Sequence, residues 1–159
     1  MLHNYDKKYL QIAIELAGRA LEDGGGPFGA VITKNAQVLT VARNRTKEEG
    51  NPISHAEIVA IRDACHHYGA ESVVGSTIFC SCEPCSMCFS ALYYAQISRV
   101  VFAATLTDVI GFGSGDPPLT STWLKEQGHL NIQIVASEER DREAVIALFE
   151  RYIQKFGKL

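Results

Sequence analysis

No run of 18 apolar residues occurs in the 159-residue chain, and a membrane-spanning helix needs about that many. The opening ten residues, Met1 to Leu10, lack the charged cap and hydrophobic stretch of a secretory signal. Positive charge is not in excess either: 15 Lys and Arg face 18 Asp and Glu, a net charge of −3. A sequence-independent grip on nucleic acid rests on a basic field, so the balance argues against a nucleic-acid partner. The short basic stretch Arg43-Asn44-Arg45-Thr46-Lys47 reads as a solvated face. Repeats, low-complexity tracts and linkers are absent, and the length fits one compact domain covering residues 1–159. A disulfide framework is excluded by an odd set of five cysteines (Cys65, Cys80, Cys82, Cys85, Cys88), four of them within nine residues. That clustering predicts metal or thiol chemistry in a reducing, cytoplasmic setting.

Hydrophobic residues make up 47% and charged residues 21%, the composition of a globular chain. Leu10, Ala13, Ile14, Ala17 and Leu21 recur at helical spacing and predict a helix over 5–21. It stops at Asp23-Gly24-Gly25-Gly26-Pro27. Strands are expected at 29–33 and 38–42, with a hairpin turn at Lys34-Asn35-Ala36-Gln37. Helix 54–68, strand 77–80, a short helix over 85–95 and strand 99–104 follow. Residues 107–119 carry three glycines and two prolines and read as a loop. A short helix at 120–127, a strand at 131–136 and a helix at 138–156 complete the chain. Strands alternating with helices after an opening hairpin predict an α/β domain. The architecture expected is a three-layer α/β/α sandwich around a five-stranded mixed sheet.

Two segments carry chemistry. Ser54-His55-Ala56-Glu57 opens the second helix, and Cys82-Glu83-Pro84-Cys85-Ser86-Met87-Cys88 joins the third strand to the next helix. Cys85 and Cys88 are three apart, so their sulfurs share a helix face. They sit in a first turn, where the partial positive charge of the helix end favours thiolates. If the two helix starts face each other, one imidazole (His55) and two thiolates converge on a zinc ion and leave its fourth position for water, as in catalytic rather than structural sites. Glu57, at the same helix mouth, is the candidate proton carrier.

Each segment alone has a plainer reading. Ser54-x-x-Glu57 is also a helix capping box. Cys85-x-x-Cys88 is also a redox pair or half of a structural zinc site, which would make the chain a zinc-stabilised binding module. With Cys82 the pattern extends to Cys-x-x-Cys-x-x-Cys, which hints at an iron–sulfur cluster with Cys80 or Cys65 as fourth ligand. Against that, Pro84 precedes the pair instead of following the last cysteine. Together, His-x-Glu followed by Pro-Cys-x-x-Cys is the signature of zinc nucleobase deaminases.

On these residues the chain resembles the cytidine deaminase-like superfamily over nearly its full length. Gly25-Gly26-Pro27-Phe28-Gly29-Ala30-Val31-Ile32 and Asn44 make it most similar to the bacterial guanine deaminase branch. The resemblance implies Zn2+ on His55, Cys85 and Cys88, a homodimer, and a small-molecule nucleobase substrate, guanine converted to xanthine and ammonia. It also implies roles: Glu57 moves protons, Phe28 stacks on or walls the base, and Asn44 bonds its carbonyl edge with help from the Ala56 backbone N–H. Asp116 falls where that branch places a second acid, although Gly113-Ser114-Gly115-Asp116-Pro117-Pro118 departs from the branch, and Asp116 also suits a turn start before Pro117. Cytosine or nucleoside deaminases and adenosine deaminases acting on transfer RNA share the motifs. In guanine deaminases the tail can swap between subunits to close the partner's pocket. Here Val145, Leu148, Tyr152 and Phe156 predict a helix packed on its own sheet.

Overall fold

The computed structural model describes residues 2–159. Helix α1 (Asn4–Glu22) forms where the apolar stripe predicts it, with Leu10, Ala13, Ile14, Ala17 and Leu21 all buried. Strands β1 (Gly29–Lys34) and β2 (Gln37–Arg43) turn through Asn35 and Ala36, at φ 52° and 60°. Two successive positive φ values suit the right-handed twist of a two-residue hairpin. Then come α2 (Thr46–Glu49), α3 (Ala56–Tyr68), β3 (Thr77–Cys82), α4 (Ser86–Tyr94) and β4 (Arg99–Ala104). Helices α5 (Leu106–Gly111) and α6 (Ser121–Gly128), strand β5 (Gln133–Ala136) and helix α7 (Glu139–Phe156) finish the domain. No helix among the described residues is long and apolar enough to cross a membrane.

The sheet order is β2-β1-β3-β4-β5. Strand β1 is antiparallel to both neighbours, whereas β3, β4 and β5 are parallel. All strands except β1 therefore end at the same edge, and β1 begins there. Side chains alternate across the sheet as the pleat requires. Val31, Phe79 and Val101 pack under α1 and α7. Ile32, Ile78, Val100 and Phe102 pack with Val59, Ala60, Phe89 and Leu92 of α3 and α4 on the other face. This is the expected α/β/α sandwich.

Two elements differ from expectation. The stretch 107–119 is not all loop, because α5 occupies its start. Thr105 and Asp108 cap each other: the Asp108 N–H donates to Thr105 Oγ1 at 3.1 Å, and the Thr105 N–H donates to Asp108 Oδ2 at 2.8 Å. That reciprocal cap outweighs the glycines, which fall at and after the helix end. The Arg43–Lys47 turn likewise runs into the single turn of α2.

Gly29 has a specific reason. A Cβ there would lie 2.2 Å from the Ala13 carbonyl oxygen and 2.8 Å from the Ala17 nitrogen, so only glycine lets α1 approach β1 this closely. Arg142 Nε and Nη2 reach across from α7 to Asp108 at 2.9 and 2.6 Å, fixing α7 to α5. The guanidinium, with the Thr105 N–H and hydroxyl, holds the Asp108 carboxyl down to about 2 against the penalty of burial.

Gly29→Ala is expected to force α1 off the sheet, cost about 2–3 kcal/mol and lower the Tm by roughly 5–10 °C, read by thermal denaturation. Asp108→Asn is expected to cost about 1 kcal/mol at pH 7. Because the folded-state pKa lies below the unfolded one, the difference from the parent is full above about pH 4. It closes as the pH falls toward the folded value of about 2. Urea midpoints measured in steps of pH check both the size and the closing.

Candidate active site

Helices α3 and α4 lie side by side on one sheet face with their first turns together. The residue before each helix is extended: His55 at φ −66°, ψ 157° and Cys85 at φ −63°, ψ 169°. These two cap positions place His55 Nδ1 3.7 Å from Cys85 Sγ. Cys88, one turn into α4 and buried, donates its thiol to Glu57 Oε2 at 3.5 Å. The donor atoms of His55, Cys85 and Cys88 all lie within 4.8 Å of one another, and no other such group occurs among the described residues. A tetrahedral zinc with bonds of about 2.0–2.3 Å sets its ligand atoms roughly 3.5–3.8 Å apart, so one imidazole and two sulfurs here fit the ion.

The loop carrying His55 is held from behind. Ser54 Oγ donates to Glu49 at 2.6 Å, and Arg62 grips the same carboxylate with two nitrogens at 2.8 and 2.7 Å. The Arg45 N–H bonds the Ser54 carbonyl at 2.9 Å. Ser54 is therefore not the cap of α3, and the capping-box reading of Ser54 and Glu57 does not hold. The Glu57 carboxylate accepts from Cys88 and lines the cavity beside the triad.

Electrostatics follow from burial. Glu57 is almost fully buried, and loss of water pushes its carboxyl up to about 7, helped by charge on Cys85. A hydrogen bond from Cys88, then one from His55, draws the Cys85 thiol down to about 4. Cys88 is driven up, first by that same bond and then by burial. His55 is raised by its bond to Cys85. Cys80 and Cys82 stay thiols in the core, their pKa values raised by burial. Cys82 Sγ donates to the Thr105 carbonyl at 3.6 Å. Neither joins the triad, which leaves an iron–sulfur cluster without its further ligands.

A cavity of about 290 Å³ opens beside the triad. Phe28, Asn44, Glu57, Asp116 and Tyr152 all line it. Phe28 is backed by Phe149, with ring centroids 5.7 Å apart. Asn44 Oδ1 accepts both the Thr46 N–H at 3.1 Å and the Thr46 hydroxyl at 2.8 Å. The amide nitrogen is thus the end of Asn44 left to meet a ligand. Ala56 is not among the lining residues; its side chain is in the core and only its backbone belongs to the helix mouth. Tyr152 and Ser114 were not expected as walls. The stripe of α7 marks Tyr152 as inward-facing, but only the helix's position shows that it lines the cavity. Phe149 is fully buried against Phe28 and Phe112, so α7 packs on its own sheet as its pattern implies.

The cytidine and deoxycytidylate deaminase zinc-binding region matches residues 3–104. Among known proteins, a guanine deaminase of Bacillus subtilis is 39% identical over 109 residues, 68% of this chain and 70% of that one. A tRNA-specific adenosine deaminase of Aquifex aeolicus is 36% identical over 96 residues, 60% of this chain and 64% of that one. The solved Bacillus subtilis guanine deaminase superposes with a TM-score of 0.65 at 38% identity, over 71% of each chain. The fold alone extends further: a guanine deaminase from Nitrosomonas europaea, 22% identical, reaches a TM-score of 0.80 over 96% of this chain and 85% of that one.

Cys85→Ala and Cys88→Ala are each expected to lose the metal, read as zinc per chain after dialysis. The metal-dependent gain in Tm should vanish with it. Parental zinc affinity in either variant would overturn the ligand set.

Proposed function

The chain belongs to the cytidine and deoxycytidylate deaminase zinc-binding family, and on that premise we propose that residues 1–159 act as one catalytic domain that hydrolyses free guanine to xanthine and ammonia. His55, Cys85 and Cys88 would hold the zinc ion, which would supply the Lewis acidity that makes a water molecule acidic near neutral pH. The protein's own residues do the rest. Glu57, at the same helix mouth, takes a proton from the water and passes it to the ring nitrogen beside the amino-bearing carbon. Oxygen bonds to that carbon, the C–N bond breaks, and a second proton carried by Glu57 lets the amine leave as ammonia. Asp116, across the cavity, orients the departing nitrogen. No oxidant or reductant is needed.

The observation that carries the substrate assignment is Asn44. With Oδ1 held by Thr46, its amide offers only N–H donors, which match the carbonyl oxygen and imidazole nitrogen of guanine. Phe28, propped by Phe149, offers a flat face to a bicyclic ring. A cavity of about 290 Å³ sits at the small end of ligand pockets and suits a free base. The Ala56 backbone N–H, at the start of α3, is a further donor toward the same carbonyl.

The second reading is adenosine in transfer RNA, which the tRNA-specific relatives favour. A net charge of −3 speaks against it. A homodimer is the proposed assembly, to be checked by light scattering.

Zinc-loaded protein offered guanine, cytosine, adenine, their nucleosides and a transfer RNA is expected to release ammonia fastest from guanine. Faster release from cytosine, a nucleoside or the RNA overturns the assignment. Glu57→Gln should retain zinc yet lose roughly 10²–10⁴-fold in turnover. Asn44→Ala should raise KM for guanine by about 5–100-fold, as expected when a buried acceptor loses its donor.

A further inference from the structure

We infer that Glu83 is a positioning residue that holds the wall of the cavity in register with the metal ligands. Its carboxylate is buried, 6% exposed. Oε2 accepts the Leu106 N–H at 2.9 Å, and Oε1 accepts the Ser121 N–H at 2.7 Å. Leu106 and Ser121 are the first residues of α5 and α6. One carboxylate therefore satisfies an orphan N–H at each of two helix starts, where negative charge is favoured. The two anchors bracket residues 107–120, which carry Val109, Ser114, Gly115 and Asp116 of the cavity wall.

The other end of Glu83 belongs to the metal side. Its own N–H bonds the Ala104 carbonyl at 2.8 Å, and the Ser121 hydroxyl bonds the carbonyl of Pro84 at 3.3 Å. Two residues on is Cys85. A single side chain thus sets the spacing between the sulfur pair and the segment bearing Asp116. Glu83 itself borders the cavity, but both of its carboxylate oxygens are taken by backbone N–H groups, so it acts through the loop whose two ends it grips.

The chemistry points to two conservative variants. Glu83→Gln keeps the volume but has one oxygen, so its NH2 group faces one of the two N–H donors. Glu83→Asp keeps the charge but is one methylene too short to reach both helices.

The test is amide exchange by mass spectrometry on zinc-loaded parent, Glu83→Gln and Glu83→Asp, with zinc content and kinetics measured beside it. Exchange over 107–120 is expected to rise about tenfold or more, as for a lost charged hydrogen bond, while β1, β3 and α1 exchange as in the parent. Zinc should remain at one per chain, and kcat/KM should fall about 10–100-fold, as misplaced groups cost. The assignment is overturned by parental exchange in 107–120, by an even rise across the sheet, by parental kcat/KM, or by both variants failing to fold. The kinetic arm rests on the deaminase reading. An inactive parent would sink that reading, while the exchange and zinc results would still decide the role of Glu83.

Discussion

His55 and Cys85 meet because the strands that lead to them end at the same sheet edge. Strand β1 runs against β2 and β3, which makes those two strands point the same way. The connections after β2 and β3 therefore emerge side by side, and each turns into a helix through an extended cap residue. The cap residue's side chain faces the mouth of the helix, where unpaired N–H groups and the helix dipole favour anionic sulfur. The same edge receives the start of β1, which brings Phe28, and the end of β2, which brings Asn44. Ligands of open α/β sheets gather at this edge for the same reason. The 3.7 Å approach of His55 to Cys85 is thus a consequence of strand direction.

Holding charge in such a place needs support from outside the site. The His55 loop is tied by Ser54, Glu49, Arg62 and Arg45 at a partly exposed rim. The cysteine side is tied by a buried carboxylate, Glu83, whose partners are neutral backbone N–H groups at helix starts. The contrast is physical. At the rim, water screens an ion pair and makes each pair weak, so several are used. Inside, a lone carboxylate is tolerable only if its oxygens are satisfied.

The far wall of the cavity is the work of α7. Phe149 sits at the centre of an aromatic group with Phe28 and Phe112. One helix packing on its own sheet both fills the core and brings Tyr152 to the cavity. Within the chain, α7 is fixed further by Arg142 on Asp108.

Much of this was contained in the sequence. Helical periodicity placed α1 and α7, and runs of β-favouring residues placed β1, β2 and β4, each within a residue or two. Residues His55, Glu57, Cys85 and Cys88 were identifiable because metal chemistry restricts residue type and spacing at once. Local competition decided what the pattern alone did not: the capping-box alternative for Ser54 fails because Glu49 takes its hydroxyl, and 107–119 is not all loop because Thr105 and Asp108 cap α5. Which atom of Asn44 is free, that Tyr152 lines the cavity, and that one Glu83 carboxylate grips Leu106 and Ser121, 23 and 38 residues away, were decided only by tertiary structure. Such pairings join side chains to backbone groups distant in sequence, and a backbone N–H carries no residue identity by which the sequence can announce its partner.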